Sequence, residues 1–451
     1  MFLKKKLSKD AIEAINAKVA AASDEFGNEA AWKELQPLLD VQQKQKEVAT
    51  CLLRLVEERR CTVERSLEVL EQVVATYSDD VEILSLVGEA LEGARDIDDL
   101  NAPPPNDPLF QIVVNRLDDL VEKHRGLDSE VNALSGLACA ARMMGRQHDV
   151  LAEQCYKRLI EIDPRRNSYQ YNLGLFYKTR GHYSLGLVAN QSARELEDEP
   201  SESVSWNLGI CATGAGEGSI ALDVWKKIGQ KIEMGRFNLP EGGYPQCKVK
   251  LAERPLAERS AIDDDPGNEE TIWIERLSPC HGIVRSVLYQ QLGVDYGDVI
   301  LMDGAPITYH KYGDTEVPVF PHLATLVRND YAFYNFAGTQ DESGRIYDAS
   351  DELDDDIVIY PHSENFRTLC SNCWNNPELD HEHHEESEKH VVTGRIAAPR
   401  GVAPGELLER LDKTFQRRRP CRIYVPELCQ AAGRSERIEF EKRRFEMLSQ
   451  S

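Results

Sequence analysis

Three short segments decide the fold of this chain: LSGLAC at residues 134–139, NLGLFY at 172–177 and WNLGICA at 206–212. Each segment carries a glycine within a mainly apolar stretch, and the glycines at 136, 174 and 209 are 38 and 35 residues apart. A nearly constant period of this length is typical of proteins built from repeated helical hairpins. The spacing therefore predicts stacked pairs of antiparallel helices over residues 130–230.

Small residues recur in pairs within this stretch. Gly174 is followed by Gly186, and Gly209 by Ala221, each pair spanning two predicted helices. Small side chains allow two helix backbones to approach closely, while larger apolar neighbours fill the groove between them. Pro164 and Pro200 end the units, because proline cannot continue a helix.

The period and the opening residues resemble the tetratricopeptide repeat, which has about 34 residues and a W-x2-L-G-x2-Y opening. The extra residues fall around 143–150 and 199–203, where loops tolerate insertions. The resemblance implies an α-helical solenoid with a groove that holds a protein or peptide partner, and by itself it implies no reaction. An arbitrary bundle of helical hairpins is the alternative, since repeat arrays normally need about three units.

The sequence upstream of these repeats is also helical in pattern. Residues 63–76 carry an apolar stripe at helical spacing, and residues 81–92 resemble another first helix of a repeat. A run of prolines within 102–105 separates that helix from its expected partner at 109–123. We therefore predict an all-α, tetratricopeptide-like solenoid over residues 1–235.

The character of the chain changes after the solenoid. Residues 236–270 lack sustained periodicity and are punctuated by proline, glycine and aspartate, which predicts a linker or irregular loop. Short β-type runs follow at residues 271–275, 283–289, 298–302, 317–320, 331–336 and 356–360. A strand at 391–397, a helix at 404–415 and a strand at 422–425 then form a β-α-β pattern. The sequence thus predicts a multidomain chain, with a C-terminal α+β domain at residues 271–451.

Charge and cysteine usage limit the classes of partner and compartment. The chain has 77 acidic and 53 basic residues and a formal net charge of -24, which disfavours nucleic acid as the main partner. No stretch approaches the roughly 18 apolar residues that a membrane-spanning helix needs, and no secretory signal is evident. Eleven scattered cysteines are typical of reduced thiols. These features predict a cytoplasmic protein without a membrane partner.

A cysteine- and histidine-rich stretch is the strongest candidate for a metal site. Cys370 and Cys373 form a C-x2-C pair, and His381 and His383 follow. Two thiolates and two imidazoles could complete a tetrahedral shell for Zn²⁺, in which case a closed structural site is favoured. The histidines follow at unusual spacing, however, and the surrounding acidic run is equally compatible with an exposed polar loop.

Four other residues are weaker candidates for catalysis. Cys280 and His281 are adjacent, and His322 or His362 could supply a base in the folded protein. Adjacent residues on a strand point to opposite faces, so this adjacency is only weak evidence for a catalytic pair. A structural turn is the ordinary interpretation. A third possibility joins Cys280 or His281 to the C-x2-C pair in a split metal site. No phosphate-binding or dinucleotide-binding motif occurs, so we predict no cofactor-binding residues beyond a possible zinc.

Two hypotheses about function remain at this stage. The first is an interaction, scaffold or adaptor protein whose C-terminal α+β domain is a second binding or regulatory module. The second is an enzyme whose C-terminal domain performs metal-dependent hydrolysis or cysteine-based chemistry, with the solenoid recruiting the substrate. They differ in whether the cysteine and histidine candidates converge in one cavity.

Overall fold

A computed structural model describes residues 46–95, 105–313, 315–353, 356–370 and 386–449 of the chain. It contains a helical array, a small β-barrel and a four-stranded sheet covered by helices, in that order along the sequence. In these ranges, no helix combines the length and apolarity that crossing a membrane requires.

Ten α-helices form the described part of the array. They are α1 Lys46–Glu57, α2 Val63–Thr76, α3 Val81–Ala90, α4 Pro108–His124, α5 Glu130–Met143, α6 Asp149–Ile162, α7 Asn167–Thr179, α8 Tyr183–Glu195, α9 Glu202–Gly214 and α10 Gly218–Lys227. Side-chain oxygens of Thr62, Asp80, Asp107 and Ser201 accept hydrogen bonds from backbone amides in the first turns of α2, α3, α4 and α9. These caps satisfy amides that have no partner within the helix.

The last six helices form three consecutive hairpins, α5–α6, α7–α8 and α9–α10. Gly145, Gly181 and Gly216 occupy the turns within the hairpins with φ of 90°, 74° and 77°, a region that glycine adopts without strain. Together with α3 and α4 upstream, they form a continuous helical array. The prediction of stacked helical hairpins over residues 130–230 is confirmed.

Glycines permit close contacts between the helices of the array. A Cβ atom added to Gly136 on α5 would lie 2.6 Å from Ser85 Cα on α3, so the two backbones touch. A Cβ on Gly186 would lie 3.3 Å from the carbonyl oxygen of Gly174, in agreement with the predicted pair. At Gly209 the space is taken by the ring of Trp225, whose nearest atom would lie 2.5 Å from a Cβ.

The barrel begins within the segment predicted to be a linker. The short pair β1 Glu233–Met234 and β2 Pro240–Glu241 leads into six strands: β3 Cys247–Ala252, β4 Glu269–Arg276, β5 His281–Val284, β6 Val299–Met302, β7 Thr308–Tyr312 and β8 Thr315–Val327. The strand order is β3-β4-β5-β6-β8-β7, and β3 closes a barrel of five of these strands by pairing with β8 in parallel, while β7 pairs only with β8. The prediction of an irregular linker over 236–270 is therefore wrong for β3, whose alternating Cys247, Val249 and Leu251 face the barrel core.

The C-terminal part forms a second sheet. Its elements are β9 Tyr331–Gln340, β10 Val358–Cys370, β11 Glu386–Pro399, α11 Pro404–Arg417, β12 Arg422–Tyr424, α12 Pro426–Ala431 and α13 Ser435–Ser449. The strand order is β10-β11-β9-β12, and both β11 and β12 are antiparallel to β9. The predicted β-α-β unit is thus present, with β9 between its two strands. The predicted single α+β domain consists instead of two sheets with separate cores.

The outer face of the barrel packs against the end of the helical array. Tyr183, Leu208 and Trp225 from the last two hairpins share a core with Cys280 and Leu301 of the barrel. The Tyr183 hydroxyl also donates a hydrogen bond of 3.1 Å to the carbonyl oxygen of Leu323. The barrel therefore buries the apolar surface that the final hairpin would otherwise expose to water.

The contact between α3 and α5 leads to a first prediction. Replacing Gly136 with alanine forces a methyl group against the Ser85 backbone, which cannot move independently. We expect Gly136→Ala to lower the free energy of unfolding in urea by about 3 kcal/mol. The control is Gly405→Ala on α11, where no atom lies within 4 Å of an added Cβ and alanine favours the helix. Equal stability of the two variants would contradict a close contact at Gly136.

Candidate functional site

A groove runs along the inner face of the array between α5 and α7. On α5 it is lined by Ser135, Cys139 and Arg142, spaced four and three residues apart and hence on one face of the helix. On α7, Ser168 and Asn172 lie opposite. This inner groove has a volume of about 400 Å³ and is also lined by Glu57, Arg59, Glu89, Glu92, Tyr156, Leu159, Arg166 and Tyr169.

The inner groove continues into a larger cavity between the array and the barrel. Arg59, Glu92 and Arg142 line both spaces. The interdomain cavity has a volume of about 660 Å³. Its remaining lining residues are Arg95, Met143, Gly145, Arg146, Leu175, Lys178, Thr179 and Arg180 from the array, and Leu256, Arg259, Asp264, Asp303, Ala305, Pro306, Ile307, Thr308 and Tyr309 from the barrel side.

Buried ion pairs join the two walls of the interdomain cavity. The Lys178 ammonium lies 2.7 Å from an Asp303 carboxylate oxygen, and only 8% and 6% of the two side chains are exposed. The Arg146 guanidinium lies 3.0 Å from Asp264 and donates further hydrogen bonds to the carbonyl oxygens of Arg180 and Leu256. Each charged group in such a buried pair needs its partner, because a buried charge without an opposite charge beside it lowers the stability of the fold.

Basic residues dominate the electrostatics of the interdomain cavity. Burial lowers the pKa of Arg259 to about 10, and it also lowers the pKa of Arg146 despite the attraction of Asp264. The Arg142 guanidinium holds the pKa of the Glu92 carboxyl below its ordinary value. The lowered pKa values of the two arginines therefore reflect mainly the loss of solvation on burial.

Three of the predicted catalytic candidates lie in buried positions of the barrel. Cys280, His281 and His322 are each fully buried, and none lines the inner groove or the interdomain cavity. The Cys280 thiol contacts the Thr213 hydroxyl at 3.4 Å, and the His281 ring nitrogen Nδ1 lies 2.5 Å from the Ser278 hydroxyl. The contact with Thr213 places Cys280 in the packing between the barrel and the array, whereas His281 contacts a neighbour within the barrel.

The ionisation of these side chains follows from their burial. Desolvation raises the pKa of the Cys280 thiol to about 11 and lowers the pKa values of His281 and His322 to about 4 and about 3. At neutral pH both imidazoles and the thiol are therefore uncharged. A cysteine nucleophile needs the thiolate form, which this environment disfavours.

The fourth candidate and the predicted metal ligands lie elsewhere. His362 on β10 contacts the carbonyl oxygen of Val287 at 2.8 Å, at the junction between the barrel and the second sheet. Cys373, His381 and His383 lie within residues 371–385, outside the described residues, and Cys370 is described only as the last position of β10, opposite Glu386. In the described part of the chain, no three potential ligands among histidine, cysteine, aspartate and glutamate are grouped to hold a metal ion.

Sequence reasoning did not find the residues of the groove and the cavity. Arg146 directly follows the turn glycine Gly145, and Arg180 directly precedes Gly181, so basic residues recur at the hairpin turns. This recurrence in the sequence could have identified the basic residues that the helical array contributes to the interdomain cavity. The partner of Lys178 is Asp303, which is 125 residues away in the sequence and could not be assigned by spacing.

Comparison with known proteins finds a structural similarity over part of the chain. No family model and no curated protein sequence matches it. The solved structure of MamA, residues 41 to the end, from Desulfovibrio magneticus RS-1 is 19% identical, with a TM-score of 0.28, over 40% of this chain and 93% of that one. A crystal structure of MamA protein is 18% identical, with a TM-score of 0.27, over 41% of this chain and 91% of that one.

The Lys178–Asp303 pair generates a second prediction. In Lys178→Met the Asp303 carboxylate stays buried without its cation, and we expect the free energy of unfolding in urea to fall by about 3 to 5 kcal/mol. Adding Asp303→Asn should restore at least part of that loss. The matched control is Lys227→Met, which breaks an exposed pair with Asp223 and should change stability by less than about 1 kcal/mol. Similar losses in both single variants would argue against a buried, mutually dependent pair.

Burial of two neutral histidines generates a third prediction. Because the folded-state pKa values of His281 and His322 lie below the ordinary 6.5, the unfolded chain takes up protons that the folded chain does not. The histidines therefore have little effect on stability above pH 6.5 and destabilise the fold as the pH falls towards 4. Between about pH 7 and pH 5 we expect each to remove about 2 kcal/mol from the free energy of unfolding.

The measurement is urea unfolding at several pH values in this range for the natural chain and for His322→Asn. The variant lacks one titrating group, so its stability should fall less steeply between pH 7 and pH 5 even if it is lower at pH 7. An unchanged pH dependence in the variant would show that His322 is not buried in its neutral form.

Proposed function

We propose that this protein is an interaction scaffold that binds an extended peptide segment of a partner protein in the inner groove. The observation that carries the proposal is the alignment of polar side chains on α5 and α7 along one open groove. Ser135, Cys139 and Arg142 on one helix face Ser168 and Asn172 on the other. Helix faces arranged in this way can contact successive residues of one bound chain.

The dimensions of the groove suggest the length of the peptide. From Ser135 to Arg142, the longest helical stretch that lines the groove, α5 advances by about 10 Å at 1.5 Å per residue. An extended chain rises about 3.3 Å per residue, so roughly three peptide residues fit alongside.

The groove chemistry suits a peptide backbone with charged side chains. The side-chain amide of Asn172 can donate a hydrogen bond to a backbone carbonyl oxygen of the bound peptide. It can also accept a hydrogen bond from a backbone amide of the same peptide. Glu57, Glu89 and Arg166 supply charges of both signs on the walls, so the groove can select a pattern of charges in its partner.

Three further features support a binding role in a reducing compartment. Among the residues with described side chains, the cysteines are free thiols, which fits the cytoplasm. The net charge of -24 favours a protein over a nucleic acid as the main partner. The barrel and the second sheet extend the surface of the array, and we assign them an accessory binding or regulatory role.

The alternative of a catalytic C-terminal domain has less support. Cys280, His281 and His322 are buried, whereas His362 lies at the junction with the second sheet. A shared cavity for these side chains was the feature that would have favoured an enzyme. None of the four side chains lines the inner groove or the interdomain cavity, which supports the scaffold proposal.

The test is selection of peptides from a random library on the full-length chain, followed by fluorescence anisotropy of the selected sequences. We expect Asn172→Ala to weaken binding about five- to tenfold, because each lost hydrogen bond is worth about 1 kcal/mol. Ser135→Tyr should weaken it further by filling the groove. Val188→Ser, on the exposed face of α8, is the control and should bind normally. Selected peptides that tolerate both groove variants would refute the proposal.

A further inference from the structure

We propose that the inner groove carries opposite charges on its two walls and selects an extended peptide in which basic and acidic residues alternate, as in a Lys-Glu-Lys core. This inference rests on peptide binding in the inner groove, as proposed above, and adds the charge pattern of the partner. The acidic wall consists of Glu57 and Glu89, and the basic wall consists of Arg166 with the start of α7.

The two carboxylates of the acidic wall lack ionic partners. Glu57 is the exposed last residue of α1, and Glu89 lies half-buried on α3. In the described ranges, neither carboxylate forms an ion pair or a hydrogen bond with another side chain. The third glutamate of the groove, Glu92, is already paired with Arg142 at 2.6 Å. Glu57 and Glu89 are therefore available to basic side chains of a ligand.

The surroundings of Glu89 favour a cation beside it. Burial and the negative charge of Glu57 both raise the pKa of the Glu89 carboxyl. Burial also raises the pKa of the Cys139 thiol to about 11, and Glu89 adds to that shift, which places Glu89 close to α5. A lysine or arginine of a peptide next to Glu57 and Glu89 would reduce their mutual repulsion and stabilise the charged carboxylates.

The basic wall lies across the groove, where α7 begins. Arg166 immediately precedes α7, and its exposed side chain lines the groove. Its guanidinium lies 5.2 Å from the centre of the Tyr169 ring, and no carboxylate in the part of the chain described by the structure pairs with it. No side chain caps the first turn of α7, so the positive end of the helix dipole adds to the charge of Arg166. This wall therefore favours an acidic side chain of the ligand.

The geometry of an extended chain turns the two walls into a sequence pattern. Successive side chains of an extended peptide point to opposite sides, so every second residue faces the same wall. Two carboxylates on one wall and one guanidinium on the other match two basic residues with an acidic residue between them. Such a core has the length of roughly three residues that fits alongside α5.

A buried donor in the inner groove supports a peptide in this position. The Arg142 side chain lines the groove and is 10% exposed. Its Nε atom is buried without a hydrogen-bond partner among the described residues. A buried donor without an acceptor lowers stability, and a backbone carbonyl oxygen of the bound peptide can supply the acceptor whatever the peptide sequence. The charged walls then determine which side chains are preferred.

The experiment compares two fluorescein-labelled peptides of identical composition by fluorescence anisotropy with the full-length protein. One has a Lys-Glu-Lys core and the other a Lys-Lys-Glu core, and both are flanked by Gly-Ser on each side. Because their net charges are equal, non-specific attraction to this acidic chain is the same for both. We expect the alternating peptide to bind at least about threefold more tightly.

Variants of each wall provide a second measurement. The double variant Glu57→Gln with Glu89→Gln removes the charge of the acidic wall, and Arg166→Gln removes that of the basic wall. We expect both to reduce the ratio of the two affinities to below about two. The matched controls are Glu71→Gln on α2 and Arg417→Gln on α11, which are exposed and lie outside the groove lining. Both controls should keep the preference of the natural chain.

Failure of the charge pattern is distinguishable from failure of peptide binding. Peptides selected from the random library that lose affinity in Asn172→Ala, yet show no alternation of basic and acidic residues, would overturn the charge pattern alone. Equal affinity of the two isomeric peptides, no binding of the Lys-Glu-Lys peptide, or an unchanged ratio in both wall variants would do the same. If no library peptide binds in the groove, peptide binding itself is refuted and the charge pattern is refuted with it.

Discussion

The burial of the final hairpin is the constraint on which the rest of the structure depends. A stack of helical hairpins always leaves an apolar face at its end, and that face needs a cover. Here the outer surface of the barrel supplies it, with Cys280 and Leu301 packed among Leu208 and Trp225. The helical array and the barrel are therefore one continuous packing unit, although their local structures are unrelated.

This shared packing also forms the interdomain cavity beside the inner groove of the array. The first helices of the hairpins form the inner groove, and the barrel turns its Asp303–Tyr309 segment towards their C-terminal ends. The Lys178–Asp303 pair fixes the distance between the two walls. Arg142 and its partner Glu92 lie where the inner groove and the interdomain cavity meet.

The cysteine and histidine candidates show why chemistry is hard to infer from residue types alone. Cys280 and His281 have the composition of a reactive pair, but both lie in the interior, where desolvation keeps the thiol protonated and the imidazole neutral. Whether a thiol is a nucleophile depends on its surroundings, and those surroundings come from Thr213 and Ser278. Ser278 is close in the sequence, but Thr213 is 67 residues away and could not be assigned by spacing.

The sequence by itself determined the repeated hairpins, the change from helices to strands, and the β-α-β unit at the C-terminus. Those features depend on local periodicity, on turn glycines such as Gly181 and on prolines that end helices. It did not determine the closure of the barrel through Cys247–Ala252, the separation of the two sheets, or the groove and the cavity. These depend on contacts such as Lys178 with Asp303, between residues far apart in the chain, and only the tertiary structure brings such residues together.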